Sequence, residues 1–147
     1  MSAYGDFFAE LVRLEIELWN RLDSLQAEAS AVSVAQLQAL QAVASRGGDA
    51  RVHDIATELQ ITVGAASKLV DRLERDGLAS RAAHPSDRRS MIVDLTAAGE
   101  KVRVTASAAA ERHLEQLMST ALSKSHAAEL AADLSTLRVS LETQRLS

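Results

Sequence analysis

Apolar residues recur at helical spacing along most of this 147-residue chain. In residues 4–29 they form two rows, one running from Phe7 to Leu25 and the other from Phe8 to Trp19. A helix that packs through a single face needs only one such row. The pattern predicts a long helix that is either buried in its own core or shared with a second subunit.

Capping residues predict where three further helices begin. Ser33 opens one that ends at Gly47-Gly48, Thr96 opens one that runs to about Thr120, and Ser123 opens the last. In this last helix the apolar positions alternate by three and four, which is the spacing of a heptad seam. Those positions are Ala127, Leu130, Leu134, Leu137 and Leu141.

Two shorter helices follow Gly47-Gly48. Residues 52–60 form the first, Gln60-Ile61 makes a tight turn, and Thr62 caps a second helix that runs to about Asp76. We expect the apolar positions of this second helix, together with Ile61, to pack inward. Two short helices joined by a turn of this length are typical of a helix-turn-helix.

A β-hairpin follows the helix-turn-helix. Residues 78–83 and 90–95 form two short strands, and residues 84–89 connect them. The strand pattern is weak because alanine is a poor strand former. The predicted fold class is mainly α with a small β-hairpin wing, which is a winged helix-turn-helix.

The composition excludes several kinds of chemistry. Cysteine is absent, so disulfides, thiolate nucleophiles and cysteine-ligated metals are not available. The four histidines show no i, i+4 pairing, and we expect neither a metal site nor a cofactor. The chain has no paired-carboxylate motif, no nucleophile beside a base and no phosphate-cradling glycine loop. We therefore do not expect an enzyme.

The chain also lacks the marks of a membrane or secreted protein. No apolar run approaches the ~20 residues that span a bilayer. The N-terminal segment carries Asp6, Glu10 and Glu15 in place of the basic region of a signal peptide. We therefore expect a cytoplasmic location and no membrane partner.

The charge is unevenly distributed. The net charge of −4 argues at first against a nucleic-acid partner. Residues 62–90, however, hold six lysines and arginines against four acidic residues. A local basic surface on an acidic body is compatible with binding to nucleic acid.

The hairpin tip carries the most informative residues. Pro85-Ser86 forms a turn, and two adjacent arginines, Arg88 and Arg89, follow it. Phosphates attract such charge, and a narrow groove accepts a guanidinium. Arg89 is the predicted minor-groove probe, Arg88 its phosphate partner, and Asp87 is expected to hold the Arg89 guanidinium by charge-assisted hydrogen bonds. The alternative is a surface loop with an ion pair worth about 0.5 kcal/mol.

The second helix of the helix-turn-helix is the predicted recognition helix, whose N-terminal residues face base edges in the major groove. Its threonine suits a phosphate, its serine and lysine can read bases, and its valine and first alanine can touch a thymine methyl. Its arginine is a phosphate candidate. The alternative is a solvated helix face. The predicted DNA-binding residues here are Thr62, Val63, Gly64, Ala65, Ser67, Lys68 and Arg72.

Three motifs carry a family resemblance. They are Ile55-Ala56-x-x-Leu59-x-Ile61-Thr62, the run from Ser67 to Leu78, and the wing Asp87-x-Arg89 ending in Leu95-Thr96-x-x-Gly99. With these motifs the chain resembles the MarR family of bacterial transcriptional regulators. The apolar tip Val63-Gly64-Ala65 departs from the more polar pattern of that family, which suggests few direct hydrogen bonds to bases.

The resemblance implies a homodimer on double-stranded DNA. Residues 1–32 and 97–147 would form the helical dimerisation region, and residues 33–96 the winged helix-turn-helix that binds a pseudo-palindromic operator. A small-molecule effector is implied in a cleft that Trp19 can line, although a lone tryptophan on a helix is more often core. The expected protein is a ligand-responsive repressor. The alternative is a dimeric winged helix that binds another protein instead of DNA.

Overall fold

The computed structural model describes residues 2–145 and contains, within them, six helices and two strands. In chain order these are α1 (Ala3–Ala29), α2 (Val34–Ser45), α3 (Val52–Leu59), α4 (Val63–Arg75), β1 (Ala79–Ala83), β2 (Met91–Leu95), α5 (Ala97–Met118) and α6 (Lys124–Gln144). The element order confirms the predicted winged helix-turn-helix. Residue 1 and residues 146–147, at the ends of the predicted dimerisation region, lie outside the described part.

The chain divides into two compact units, residues 1–111 and residues 112–147. The first unit holds the helix-turn-helix, the wing and the apolar core. Most of its largest fully buried side chains come from α2, α3, α4 and β2, so these four elements pack around one centre. Those residues include Leu40, Ile55, Val70, Leu73 and Val93.

Local hydrogen bonds begin the helices where the sequence predicts. The Ser33 hydroxyl accepts from the Gln36 N–H at 3.2 Å, and the Gln36 side chain accepts from the Ser33 N–H at 2.9 Å. Thr62 Oγ1 accepts from the Ala65 N–H at 3.1 Å, and Ser123 Oγ accepts from the N–H three residues on. These bonds pair N–H groups that a helix start leaves without a partner.

Ile61 does not pack inward as the sequence predicts. Its side chain is 37% exposed. The preceding residue, Gln60, adopts a left-handed conformation with φ 56°, and the Ile61 N–H donates to the Ala56 carbonyl at 3.0 Å. The turn thus bonds the Ile61 backbone to the end of α3 and leaves its side chain at the surface.

A close backbone contact joins α4, the wing and α5. Gly77, with φ +73°, ends the α4 segment. Thr96 donates from its hydroxyl to the Gly77 carbonyl at 2.6 Å and from its N–H to the Leu78 carbonyl at 3.1 Å. The same hydroxyl accepts from the Gly99 N–H at 3.0 Å and so caps α5. We call these four residues the α4–α5 joint.

The wing is an antiparallel hairpin anchored to the core. Its strands pair from Ala79 opposite Leu95 to Ala83 opposite Met91. The Val93 N–H also donates to the Ala50 carbonyl at 2.7 Å. Alanine-rich β1 therefore forms a strand because cross-strand bonds and the α4–α5 joint hold it, although its intrinsic propensity is low.

The two apolar rows of α1 lie mostly at the surface of the chain. Phe8, Leu14 and Ile16 are 66%, 59% and 52% exposed. The only buried residue of α1 is Gln26, whose Nε2 donates to the Ala106 carbonyl of α5 at 3.1 Å. Burial of both rows in the chain's own core, one of the two sequence-based alternatives, is therefore not seen.

Helix α6, in the second unit, has no buried residue. The leucines of its predicted heptad seam, Leu130, Leu134, Leu137 and Leu141, are all at least 40% exposed. Such a seam is stable in water only when another surface covers it.

The α4–α5 joint predicts opposite effects of one substitution at two helical glycines. A Cβ on Gly99 would lie 1.8 Å from the Leu78 carbonyl oxygen, whereas the nearest atom to a Cβ on Gly64 is 4.0 Å away. Gly99→Ala should lower the free energy of unfolding by about 3 kcal/mol because backbone must move. Gly64→Ala should raise it by about 0.5–1 kcal/mol. Urea denaturation measures both, and equal effects would contradict the close contact.

Candidate nucleic-acid interface

Helix α4 presents a polar face and an apolar N-terminal tip. Its inward side buries Ala66, Leu69, Val70 and Leu73. The predicted DNA-binding residues other than the serine lie at the exposed surface. The side chains of Lys68 and Arg72 form no ion pair or hydrogen bond with any residue that the structure describes. These exposed residues are Thr62, Val63, Gly64, Ala65, Lys68 and Arg72.

A network around Arg81 joins the wing to α4. The Arg81 guanidinium, whose side chain is 18% exposed, lies 2.7 Å from Asp71 Oδ1 and 3.1 Å from Glu74 Oε1. It also donates to the Ser67 carbonyl and hydroxyl at 3.3 and 3.4 Å. The Arg81 N–H donates to Glu74 Oε2 at 3.1 Å. One side chain of β1 thus contacts three successive turns of the recognition helix.

Ser67 is therefore placed differently from the other predicted base reader, Lys68. Ser67 is half-buried and held by Arg81, whereas Lys68 faces solvent. Arg81 was not among the sequence-based candidates. The spacing i, i+4, i+7 of Ser67, Asp71 and Glu74 puts them on one helix face, and the two carboxylates on that face are the signal that could have indicated a cationic partner.

The wing tip is braced through its backbone. Asp87 Oδ1 accepts a hydrogen bond from the Arg89 backbone N–H at 3.0 Å, and the Ser90 N–H donates to the Asp87 carbonyl at 3.0 Å. The expected bonds between Asp87 and the Arg89 guanidinium are not formed, because the carboxylate reaches the nearer backbone donor. Both wing arginines, Arg88 and Arg89, are exposed.

His84 anchors the base of the wing loop. Its Nδ1 accepts from the Ser86 N–H at 3.0 Å, and its Nε2 lies 3.5 Å from Asp49 Oδ1. Asp49 belongs to the segment between α2 and α3. The loop between the strands is thus held at its base by a side chain and at its tip by Asp87.

Ion pairing separates the cations of the chain into two groups. Within the described part of the chain, residues 2–145, eight of the sixteen lysines and arginines form ion pairs. One of them, Arg103, donates two hydrogen bonds to Glu100, which lower the pKa of that carboxyl and raise the pKa of Arg103. Five of the eight unpaired cations lie between residues 51 and 89, and they are Arg51, Lys68, Arg72, Arg88 and Arg89.

Trp19 lines a shallow cavity between α1 and α3. The cavity has a volume of about 340 Å³, and Glu15, Ile16, Asn20 and Leu59 complete its lining. Trp19 is 36% exposed. It is therefore a surface residue at an opening and does not belong to the buried core.

The winged helix region matches a known family. Residues 32–90 match the model of the MarR family. The uncharacterized HTH-type transcriptional regulator YfiV of Bacillus subtilis (strain 168) is 30% identical over 88 residues, which are 60% of this chain and 49% of that protein. The match thus spans about half the length of this curated relative.

Solved structures share the fold along nearly the whole chain. A MarR-family regulator from Rhodococcus sp. RHA1 gives a TM-score of 0.83 at 17% identity, covering 93% of this chain and 95% of that one. The repressor CouR bound to a 23-mer DNA duplex gives 0.79 at 26% identity, covering 88% and 89%. CouR from Rhodococcus jostii RHA1 bound to p-coumaroyl-CoA gives 0.78 at 18% identity, covering 93% and 94%.

These matches define the class of protein as a winged helix-turn-helix protein. They confirm the resemblance to the MarR family that the wing and recognition-helix motifs indicate. Regulators of that family are DNA-binding proteins without enzymatic activity. Among residues 2–145, none of the helices combines the length and the apolar character that a membrane span requires.

The Arg81 network predicts a larger stability effect than an ordinary surface ion pair. Arg81→Gln should lower the free energy of unfolding by about 1–2 kcal/mol, because several charge-assisted hydrogen bonds are lost together. Arg75 is a matched control, since its side chain is 73% exposed and lies 3.6 Å from Asp76. Arg75→Gln should change stability by less than about 0.5 kcal/mol. Urea denaturation compares the two, and an effect of Arg81→Gln as small as that of the control would contradict the network.

Proposed function

We propose that this chain is a sequence-specific DNA-binding transcriptional regulator. The observation that carries the proposal is the group of five unpaired cations between residues 51 and 89, on the helix-turn-helix and the wing. Elsewhere most cations are neutralised by a neighbouring carboxylate. Unpaired cations on a protein of net charge −4 have a function when they displace the counterions of DNA phosphates.

The proposed contacts divide between the two grooves. Helix α4 enters the major groove through residues 62–68, and the wing reaches the adjacent minor groove with Arg89. Arg72 and Arg88 bind phosphates, as does the Thr62 hydroxyl. The Arg81 network supports this division because it keeps the wing and the recognition helix in one orientation.

We also propose that the protein binds DNA as a homodimer through residues 1–32 and 97–147. Support comes from the exposed apolar rows of α1 and the exposed leucine seam of α6, since monomeric proteins rarely leave such surfaces in water. A two-fold dimer presents two recognition helices and so fits a pseudo-palindromic operator with half-sites about one turn, ~10 bp, apart.

Repression and a small effector complete the proposal. A dimer bound across an operator excludes other proteins from that DNA, and this favours a repressor. The proposed location of this repressor is the cytoplasm. The cavity beside Trp19 is the proposed effector site, and its volume of about 340 Å³ lies at the small end for ligand pockets. Trp19 is the sole tryptophan, so its fluorescence during a titration with small aromatic compounds tests this part directly.

DNA binding should be steeply salt-dependent and should weaken in a defined way at the wing. Fluorescence anisotropy with genomic fragments, repeated over a salt series, gives the slope of log K against log salt. Arg89→Ala should reduce that slope by about one unit for each subunit, or about two for the proposed dimer, because one cation of each subunit leaves the DNA. Lys124→Ala is the control, since Lys124 is exposed and ion-paired with Glu115, and its slope should stay unchanged.

If the protein binds no genomic fragment specifically, the regulator proposal is wrong. It would favour the alternative, a winged helix that binds another protein. The exposed apolar tip of α4 is the feature that such a partner would use.

The dimer proposal predicts that a charge in the α6 seam separates the subunits. Leu137 is 43% exposed and Met91, on the wing, is 45% exposed. Leu137→Lys should shift the sedimentation coefficient from dimer to monomer at micromolar concentration, whereas Met91→Lys should leave the dimer intact. A folded wild-type monomer at that concentration would contradict the proposal.

A further inference from the structure

Most of the polar side chains at the leading end of α4 already make a hydrogen bond within the protein. Thr62 Oγ1 already accepts the Ala65 N–H, and the Ser67 hydroxyl already accepts from Arg81. Gln60, in the turn before the helix, donates from Nε2 to the Thr57 carbonyl at 3.0 Å. From residue 60 to residue 68, Lys68 is thus the one polar side chain that makes no hydrogen bond or ion pair with the described residues 2–145.

The same surface exposes apolar side chains. Val63 is 52% exposed, Ile61 is 37% exposed, and Ala65 is in the exposed class. Gly64, which lies between Val63 and Ala65, has no side chain that could cover them. Exposed methyl groups beside unpaired cations such as Lys68 indicate an occupant that is both anionic and apolar. A duplex major groove offers both properties, because thymine carries a C5-methyl there and the backbone carries phosphates.

We propose that the recognition helix selects its operator chiefly by contact of Val63 and Ala65 with thymine methyl groups. Lys68 is the one side chain of this helix that donates to a base edge, at O6 and N7 of a guanine. This inference rests on the proposed DNA-binding function. It names the thymine methyl as the group that is recognised and assigns its recognition to Val63 and Ala65. Ser67 instead accepts hydrogen bonds from Arg81.

The inference has a clean chemical test, since deoxyuridine differs from thymidine only by that methyl. A bound genomic fragment is first isolated by selection with the full-length protein and its footprint is mapped. Each thymidine in the footprint is then replaced singly by deoxyuridine, and the dissociation constant is measured by anisotropy. One or two positions in each half-site should lose about fourfold in affinity, the loss expected for one buried methyl. Thymidines outside the footprint serve as controls.

A second arm assigns the contact to the protein. Val63→Ala shortens a half-exposed side chain, so the fold should be retained, and circular dichroism checks this. The variant should bind the thymidine operator more weakly and should no longer distinguish thymidine from deoxyuridine at one position of each half-site. Ile61→Ala, a change of similar size at the edge of the tip, should keep the distinction at that position.

The outcomes are distinguishable. Selection that recovers no fragment overturns the regulator proposal and this inference with it. A selected operator that tolerates deoxyuridine everywhere overturns the inference alone. Sensitivity to deoxyuridine that Val63→Ala leaves unchanged at every position also overturns it, because the methyl then acts through DNA shape and not through contact with this helix.

Discussion

The contact between the backbone of Gly99 and the carbonyl of Leu78 is the constraint on which the rest of the winged helix depends. Helix α4 ends at Arg75, two residues before Gly77. Strand β1 begins at Ala79, directly after Leu78, and α5 begins at Ala97, directly after Thr96, so the three elements meet at this contact. There is no room for even a Cβ at Gly99. Because the contact is between backbones, no side-chain rotamer can absorb a change in it. The angle of the recognition helix and that of the wing are thereby set together, and Arg81 holds the same two elements further along.

The features that the sequence predicts well are those decided within a few residues. The capping box of Ser33 and Gln36 needs only local geometry, and so does the helix start at Thr62. Features that depend on distant parts of the chain, or on which of several hydrogen-bond donors a group binds, do not follow from the local sequence pattern. Arg81 finds its partners on α4 only after the chain folds, and Ile61 is exposed because the Gln60 turn directs it outward. Periodicity shows which positions of α1 are apolar, but it does not show which surface covers them, so the sequence left the burial of the two rows open.

The acidic character of the chain and its proposed partner are compatible because of where the charges are neutralised. Four of the cations on α1, α5 and α6 are paired with carboxylates three or four residues away, which reduces the positive potential of these helices. The unpaired cations are concentrated on one region. An approaching polyanion is then repelled by most of the molecule and attracted by the helix-turn-helix and wing, which orients the encounter before any specific contact forms.

The hydrogen bond from the Arg89 backbone to Asp87 makes the conformation of the wing tip independent of the side chains that the tip carries. Asp87 bonds to the N–H of residue 89, a group that every residue except proline possesses. The shape of the loop therefore does not depend on which side chains stand at Arg88 and Arg89. Mutation can exchange these side chains without refolding the hairpin, so new target preferences can arise there with little loss of stability. The side chains at the wing tip can therefore change while the backbone that holds them stays the same, and related chains can diverge in what they recognise without a change of architecture.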